Sequence, residues 1–148
     1  MHLNPHFFRF IGLAAILWSC ANLASAQEMP RYGIFVYSSF CKSAMSGDLY
    51  GSRITLRRLS DDDTIIYEYT DGSTQMVAAD NLKLDSKSGK ISFEIHAAGN
   101  LNAIVSGQFS GDGGSLKAHG LLFDEKATVT LSRIVNFAAP IQDCKQKR

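Results

Sequence analysis

The stretch Lys90-Ile91-Ser92-Phe93-Glu94-Ile95-His96 alternates without a break: Ile91, Phe93 and Ile95 share one parity, Ser92, Glu94 and His96 the other. Successive side chains of a strand point to opposite faces, so this period of two predicts a half-buried β-strand and argues against a helix. The same rhythm runs on both sides of it. Leu101–Phe109 places Leu101, Ala103, Val105, Gly107 and Phe109 on one face, and Leu116, Ala118, Gly120 and Leu122 continue after the Gly-rich turn Gly111-Asp112-Gly113-Gly114. Ala127–Ile134 follows the turn Asp124-Glu125-Lys126, with Val129 and Leu131 inward.

Towards the N-terminus, Thr64–Thr70 sets Ile65, Tyr67 and Tyr69 on one face, and Asp71-Gly72 supplies turn residues before Thr74–Ala79 returns. Leu82 and Leu84 resume the alternation beyond Asp80-Asn81, which reads as a bulge or a break. Leu49–Arg58 and Tyr32–Tyr37 complete the set, while Phe40–Ser46 and Phe137–Cys144 are the places for a short helical turn. The expectation is an all-β fold, an antiparallel meander of about eight strands closing into a small barrel, with a two-sheet β-sandwich as the alternative.

The start of the chain has a different character. Arg9 precedes the apolar run Phe10–Trp18, and Ala24-Ser25-Ala26 has the small-x-small form of a leader cleavage site. Residues 1–26 read as a signal peptide and residues 27–148 as a single all-β domain, exported to a periplasm or beyond the cell. A second reading takes Leu17-Trp18-Ser19-Cys20 as a lipoprotein signal anchoring the protein through Cys20. The apolar run is too short to span a bilayer, and no transmembrane segment is expected after cleavage.

Cleavage leaves Cys41 and Cys144, which an oxidising compartment would join as one disulfide across most of the domain. It also leaves 14 basic and 14 acidic residues, a net charge of zero, which argues against nucleic acid as a partner.

Motifs that could carry chemistry are weak. Ser39-Phe40-Cys41-Lys42 has the S-x-x-K spacing, but 16 Ser and 8 Lys in 148 residues produce about one such match by chance, and the companion motifs are missing. His96 and His119 are the histidines beyond the leader, both at outward strand positions, too few for a zinc site. Asp61, Asp62, Asp63, Asp112, Asp124 and Glu125 lie in turns without calcium-loop spacing. Arg53, Arg57 and Arg58 with Glu68 read as cross-strand charge pairing, and Lys145, Lys147 and Arg148 as a solvated tail. No metal, cofactor or catalytic residue is assigned, and no enzyme activity is expected.

The suggestive feature is small residues on inward faces, Ala103 and Gly107 beside Ala118 and Gly120. Small inward residues in an eight-stranded barrel leave room for one ligand, lined by Tyr67, Tyr69, Phe93, Phe109, Gly107 and Gly120. The competing reading makes the glycines bends and has the aromatic rings fill the space. An exported eight-stranded meander is similar in outline to lipocalin- and avidin-like carriers, but their signature residues are absent, and outline alone assigns no function. The expected function is a non-enzymatic binding domain for a small apolar ligand or, alternatively, a protein-binding module such as a periplasmic enzyme inhibitor, working through loops such as Asp61–Asp63 and Gly111–Gly114.

Overall fold

The strand that decides the reading, β7 (Lys90–Ala97), sits in the middle of a meander that closes on itself. The computed structural model describes residues 30–71 and 73–145. The barrel strands are β1 (Gly33–Ser38), β4 (Ser52–Arg58), β5 (Asp63–Asp71), β6 (Ser73–Asp85), β7, β8 (Leu101–Phe109), β9 (Ser115–His119) and β10 (Val129–Ile134). Each pairs antiparallel with its neighbour, and β1 closes the ring by pairing with β4 on one side and β10 on the other, Phe35 opposite Leu56 and Val36 opposite Ile134. Closure removes the edges that an open sheet would expose, and the sandwich alternative does not apply.

Alternation becomes burial. Tyr37, Ile54, Leu56, Ile65, Tyr67, Phe93, Ile95, Val105, Leu116 and Leu131 are buried inside the ring. Each large apolar side chain withdrawn from water contributes about 1.5–3 kcal/mol. In β6 the inward set changes parity, Val77 and Ala79 giving way to Leu82 and Leu84. A register shift between Asp80 and Lys83 makes this change, with Asn81 at φ 52° and its amide donating to Glu94 Oε2 at 2.9 Å. This is the bulge expected at Asp80-Asn81, and it lets one long strand keep its apolar side inward on both sides of the irregularity.

Two strand boundaries are corrected, and the two segments expected to hold a short turn take a more specific form. Leu49–Arg58 is not continuous: Gly51 (φ +111°) separates β3 (Leu49–Tyr50) from β4, and a Cβ there would stand 2.7 Å from Ser39 O. Phe40–Ser46 opens with β2 (Cys41–Lys42), which pairs with β3, and then makes a single turn in which Gly47 N donates to Ser43 O at 2.9 Å. Residues 135–143 form a strap that returns from the end of β10 through a turn at 137–138, closed by Ala139 N donating to Asn136 O at 3.2 Å, with Lys42 N donating to Gln142 O and Cys144 N to Lys42 O, both at 2.9 Å. A 3-10 turn also forms at Ala98–Asn100. Finally, β9 stops at His119, because Gly120 (φ +74°) turns the chain out of the sheet.

Cys41 and Cys144 are joined, with Cα atoms 4.8 Å apart and a sequence separation of 103. The bond fixes the strap beside β2. The stretch read as a leader, with Cys20, lies outside the described residues, as do Gly72 and the terminal Lys147 and Arg148.

Candidate functional surfaces

The aromatic residues expected to line a ligand site all lie in the core, and each is engaged. Tyr67 is fully buried; its hydroxyl shares a 2.7 Å hydrogen bond with Ser52 Oγ and accepts from Leu122 N at 3.2 Å. Burial pushes its phenol above the ordinary tyrosine value, opposed by the Ser52 and Leu122 hydrogen bonds. Tyr69 stacks on Tyr67 with ring centroids 5.9 Å apart and meets Phe123 at the same distance. Phe109 packs on Tyr37 at 5.1 Å, and Phe93, opposite Val105, is fully buried.

The two glycines of that set are close-approach positions. A Cβ on Gly107 would meet Leu116 Cδ1 and Lys117 O, each at 2.8 Å. A Cβ on Gly120 would meet Ile104 O at 2.2 Å, and its φ already favours glycine. Small residues here admit neighbouring chain and side-chain atoms.

Both barrel mouths are plugged, by different chemistry. At the mouth beside the disulfide, the loop from β9 to β10 folds inward and buries Leu121 and Leu122, leaving Phe123 exposed at φ 68°. At the opposite mouth, Arg58 turns inward with only 8% of its surface exposed. Its guanidinium donates to Pro30 O at 3.2 Å and Ser86 Oγ at 2.9 Å and lies 3.3 Å from Asp63 Oδ2, tying three chain segments together. Arg133 lies over the Phe35 ring at 5.1 Å, and Tyr37 donates its hydroxyl proton to Gly113 O at 3.1 Å. No buried side-chain nitrogen or oxygen among the described residues lacks a partner.

The remaining sequence candidates stay apart. Ser39 exchanges hydrogen bonds with the Ser52 backbone, and Lys42 points to Asp143, 4.0 Å away. His96 bonds Asn102 and His119 bonds Thr128, on separate exposed positions; no cluster of three metal-ligating side chains occurs among the described residues. Asp112 accepts from Ser110 Oγ and Gly114 N, which hold its carboxyl below the usual range. Arg53 pairs with Glu68 through two bonds and covers it; Arg57 is exposed, and Asp124, Glu125 and Lys145 lie on the surface.

Two surfaces escaped the sequence reading. At the Arg58 end, Tyr32, Ile34 and Leu59 are exposed, Ile34 at 65%. Register places them on neighbouring strands at one rim, since Gly33 faces Arg58 and Ile34 faces Arg57; Val135 and Phe137 are exposed on the strap that leaves β10. The second is an open groove of about 800 Å³ on the outer wall of β6–β9. Protein-family models, curated proteins and solved structures contain no match to this chain. Among the described residues, no helix is long and apolar enough to cross a membrane.

Proposed function

We infer that this chain is an exported, non-enzymatic binding domain that docks a protein partner through the rim at the Arg58 end of the barrel. The observation that carries the reading is the contrast between a core whose aromatic residues already pack on one another and three large apolar side chains, Tyr32, Ile34 and Leu59, left in water at one rim. Contiguous exposed apolar surface edged by polar residues is the usual mark of a protein interface. The edge here is charged with both signs, Asp61 and Asp62 in the exposed loop after Leu59 and the exposed Arg57 and Arg31 beside Ile34 and Tyr32. The fitting partner therefore offers an apolar protrusion with charged groups of both signs around it. The disulfide supports export, and the absence of converging nucleophile and base among the described residues supports a binding role.

The test is quantitative capture from the extracytoplasmic fraction of the exporting host, using wild type, an Ile34→Asp/Leu59→Asp double variant, and Ile104→Asp on the distant wall of β8. A partner held by wild type and Ile104→Asp but weakened about 30-fold or more by the rim variant supports the reading, as removal of central apolar anchors should. Equal capture by all three overturns it.

A further inference from the structure

The outer wall of β6–β9 carries a second surface, built by register. One row runs Lys83, Ser92, Ser106 and His119 across four paired strands, and the next runs Asp85, Lys90, Gln108 and Lys117. Two adjacent serines thus form a low floor among longer side chains. Neighbouring strands are about 4.8 Å apart, so Lys90 and Lys117 stand on either side of Gln108 at a backbone separation of about 10 Å. Thr128 closes the far side through its hydroxyl bond to His119 at 3.1 Å.

The charge of this wall is one-sided although the charges beyond the leader sum to zero. Lys83, Lys90 and Lys117 make no ion pair within 4.0 Å among the described residues. The one carboxylate lining the groove, Asp85, is turned to its own loop: it accepts from Ser88 Oγ at 2.6 Å, Lys87 N at 2.9 Å and Ser88 N at 3.3 Å. Glu94, one row away, is taken by Asn81 at 2.9 Å and lies 3.7 Å from His96. Three ammonium groups therefore face a hydroxyl floor with no acidic group assigned to them.

We propose that this groove binds a compact small-molecule polyanion, a phosphate ester or polycarboxylate, with its negative groups held by Lys83, Lys90 and Lys117 over Ser92 and Ser106. The volume, about 800 Å³, lies within the range of small-molecule sites. Among the lining side chains the one ring is the His119 imidazole, engaged by Thr128, and no Phe, Tyr or Trp is present to stack a base or a sugar; the exposed apolar Ile104 lies one row away, opposite Glu94, outside the lining. Hydroxyl donors beside ammonium charges are the complement of phosphate and carboxylate oxygens.

The test uses the isotope-labelled exported protein, titrated with pyrophosphate and with citrate while backbone amide shifts are followed. Saturable shifts confined to Ser92, Ser106, Lys117 and their neighbours are expected. Lys83→Gln/Lys90→Gln/Lys117→Gln weakens binding by about tenfold or more, and Ser106→Val, which fills the floor without touching charge, by about threefold. All four positions tolerate polar or β-branched residues on an outer wall, and unchanged thermal unfolding checks that each variant folds; Lys117→Gln alone replaces the triple variant if it does not. Shifts scattered equally over Lys42, Lys126 and Lys145 overturn the proposal, as does unchanged affinity in the variants. Binding of a Glu-rich peptide in the absence of binding to either small anion also overturns it and assigns the groove to a protein partner. Neither result bears on the rim, which lies on other strands.

Discussion

The two mouths of the barrel are closed in opposite ways. Beside the disulfide, Leu121 and Leu122 seal the core with apolar surface, and Tyr67 fastens the plug through Ser52 and Leu122 N. At the other mouth the seal is Arg58, held by Pro30 O, Ser86 and Asp63, and the apolar residues around it point outward into water. The first arrangement draws on burial, which needs no partner geometry. The second depends on a charge whose desolvation is offset only while its hydrogen bonds last. One mouth is organised for stability, and the other keeps its apolar surface free for contact.

Perturbations should follow that division. Replacing Cys41 and Cys144 by Ser removes the tie beside the apolar mouth; for a sequence separation of 103, chain entropy sets the loss at about 4.7 kcal/mol, read as a lower urea midpoint. Leu122→Ala opens the apolar plug and costs about 3 kcal/mol. Arg58→Met removes the polar plug but fills some of its volume, while Asp63, 24% exposed, can regain water; the expected cost is about 2 kcal/mol. If Arg58→Met proves costlier than Leu122→Ala, the asymmetry between the mouths is reversed.

Smaller effects sharpen the contrast. Tyr67→Phe leaves Ser52 and Leu122 N short of a partner, for about 1–2 kcal/mol at neutral pH. Tyr67 and Tyr37 are both held above the ordinary phenol value, chiefly by burial. In the unfolded chain they ionise near pH ~10 while the native phenols stay protonated. Their contribution is therefore complete below that pH and is lost as pH rises through the folded values. Alkaline denaturation curves of Tyr67→Phe and Tyr37→Phe should each show a shallower loss than wild type. Ile34→Asp at the rim should shift stability by less than about 0.5 kcal/mol while it impairs capture of a partner.

Much of this architecture was legible in the sequence. Period-two alternation with tight turns specified the strands of the meander, and two cysteines at its ends specified the disulfide. The inward Arg58 was also within reach, since it shares parity with Ile54 and Leu56, but charge grouped it with Arg53 and Arg57 instead. Leu122 was correctly inward for a different reason: alternation extended the strand past Gly120, whereas a positive φ at that glycine makes it a plug. The strap at 135–143 had no periodic signal because it pairs mainly through backbone atoms at Lys42.

The surfaces were less legible because they exist only after closure. Tyr32 and Ile34 belong to an apolar strand whose outward members cannot be told from its inward ones until β4 and β10 are placed beside it. Ser92, Ser106, Lys83 and Lys117 are distant in sequence, and register alone assembles them into one wall.

The central claim, a filled barrel that acts through its outside, is most directly tested by native mass spectrometry of the protein purified from its exporting host, with denaturing release of anything bound. The account predicts a chain beginning at Gln27 with no apolar molecule in its interior, unaffected in this respect by Tyr69→Leu. A stoichiometric apolar ligand that is released on denaturation and lost in Tyr69→Leu would contradict it.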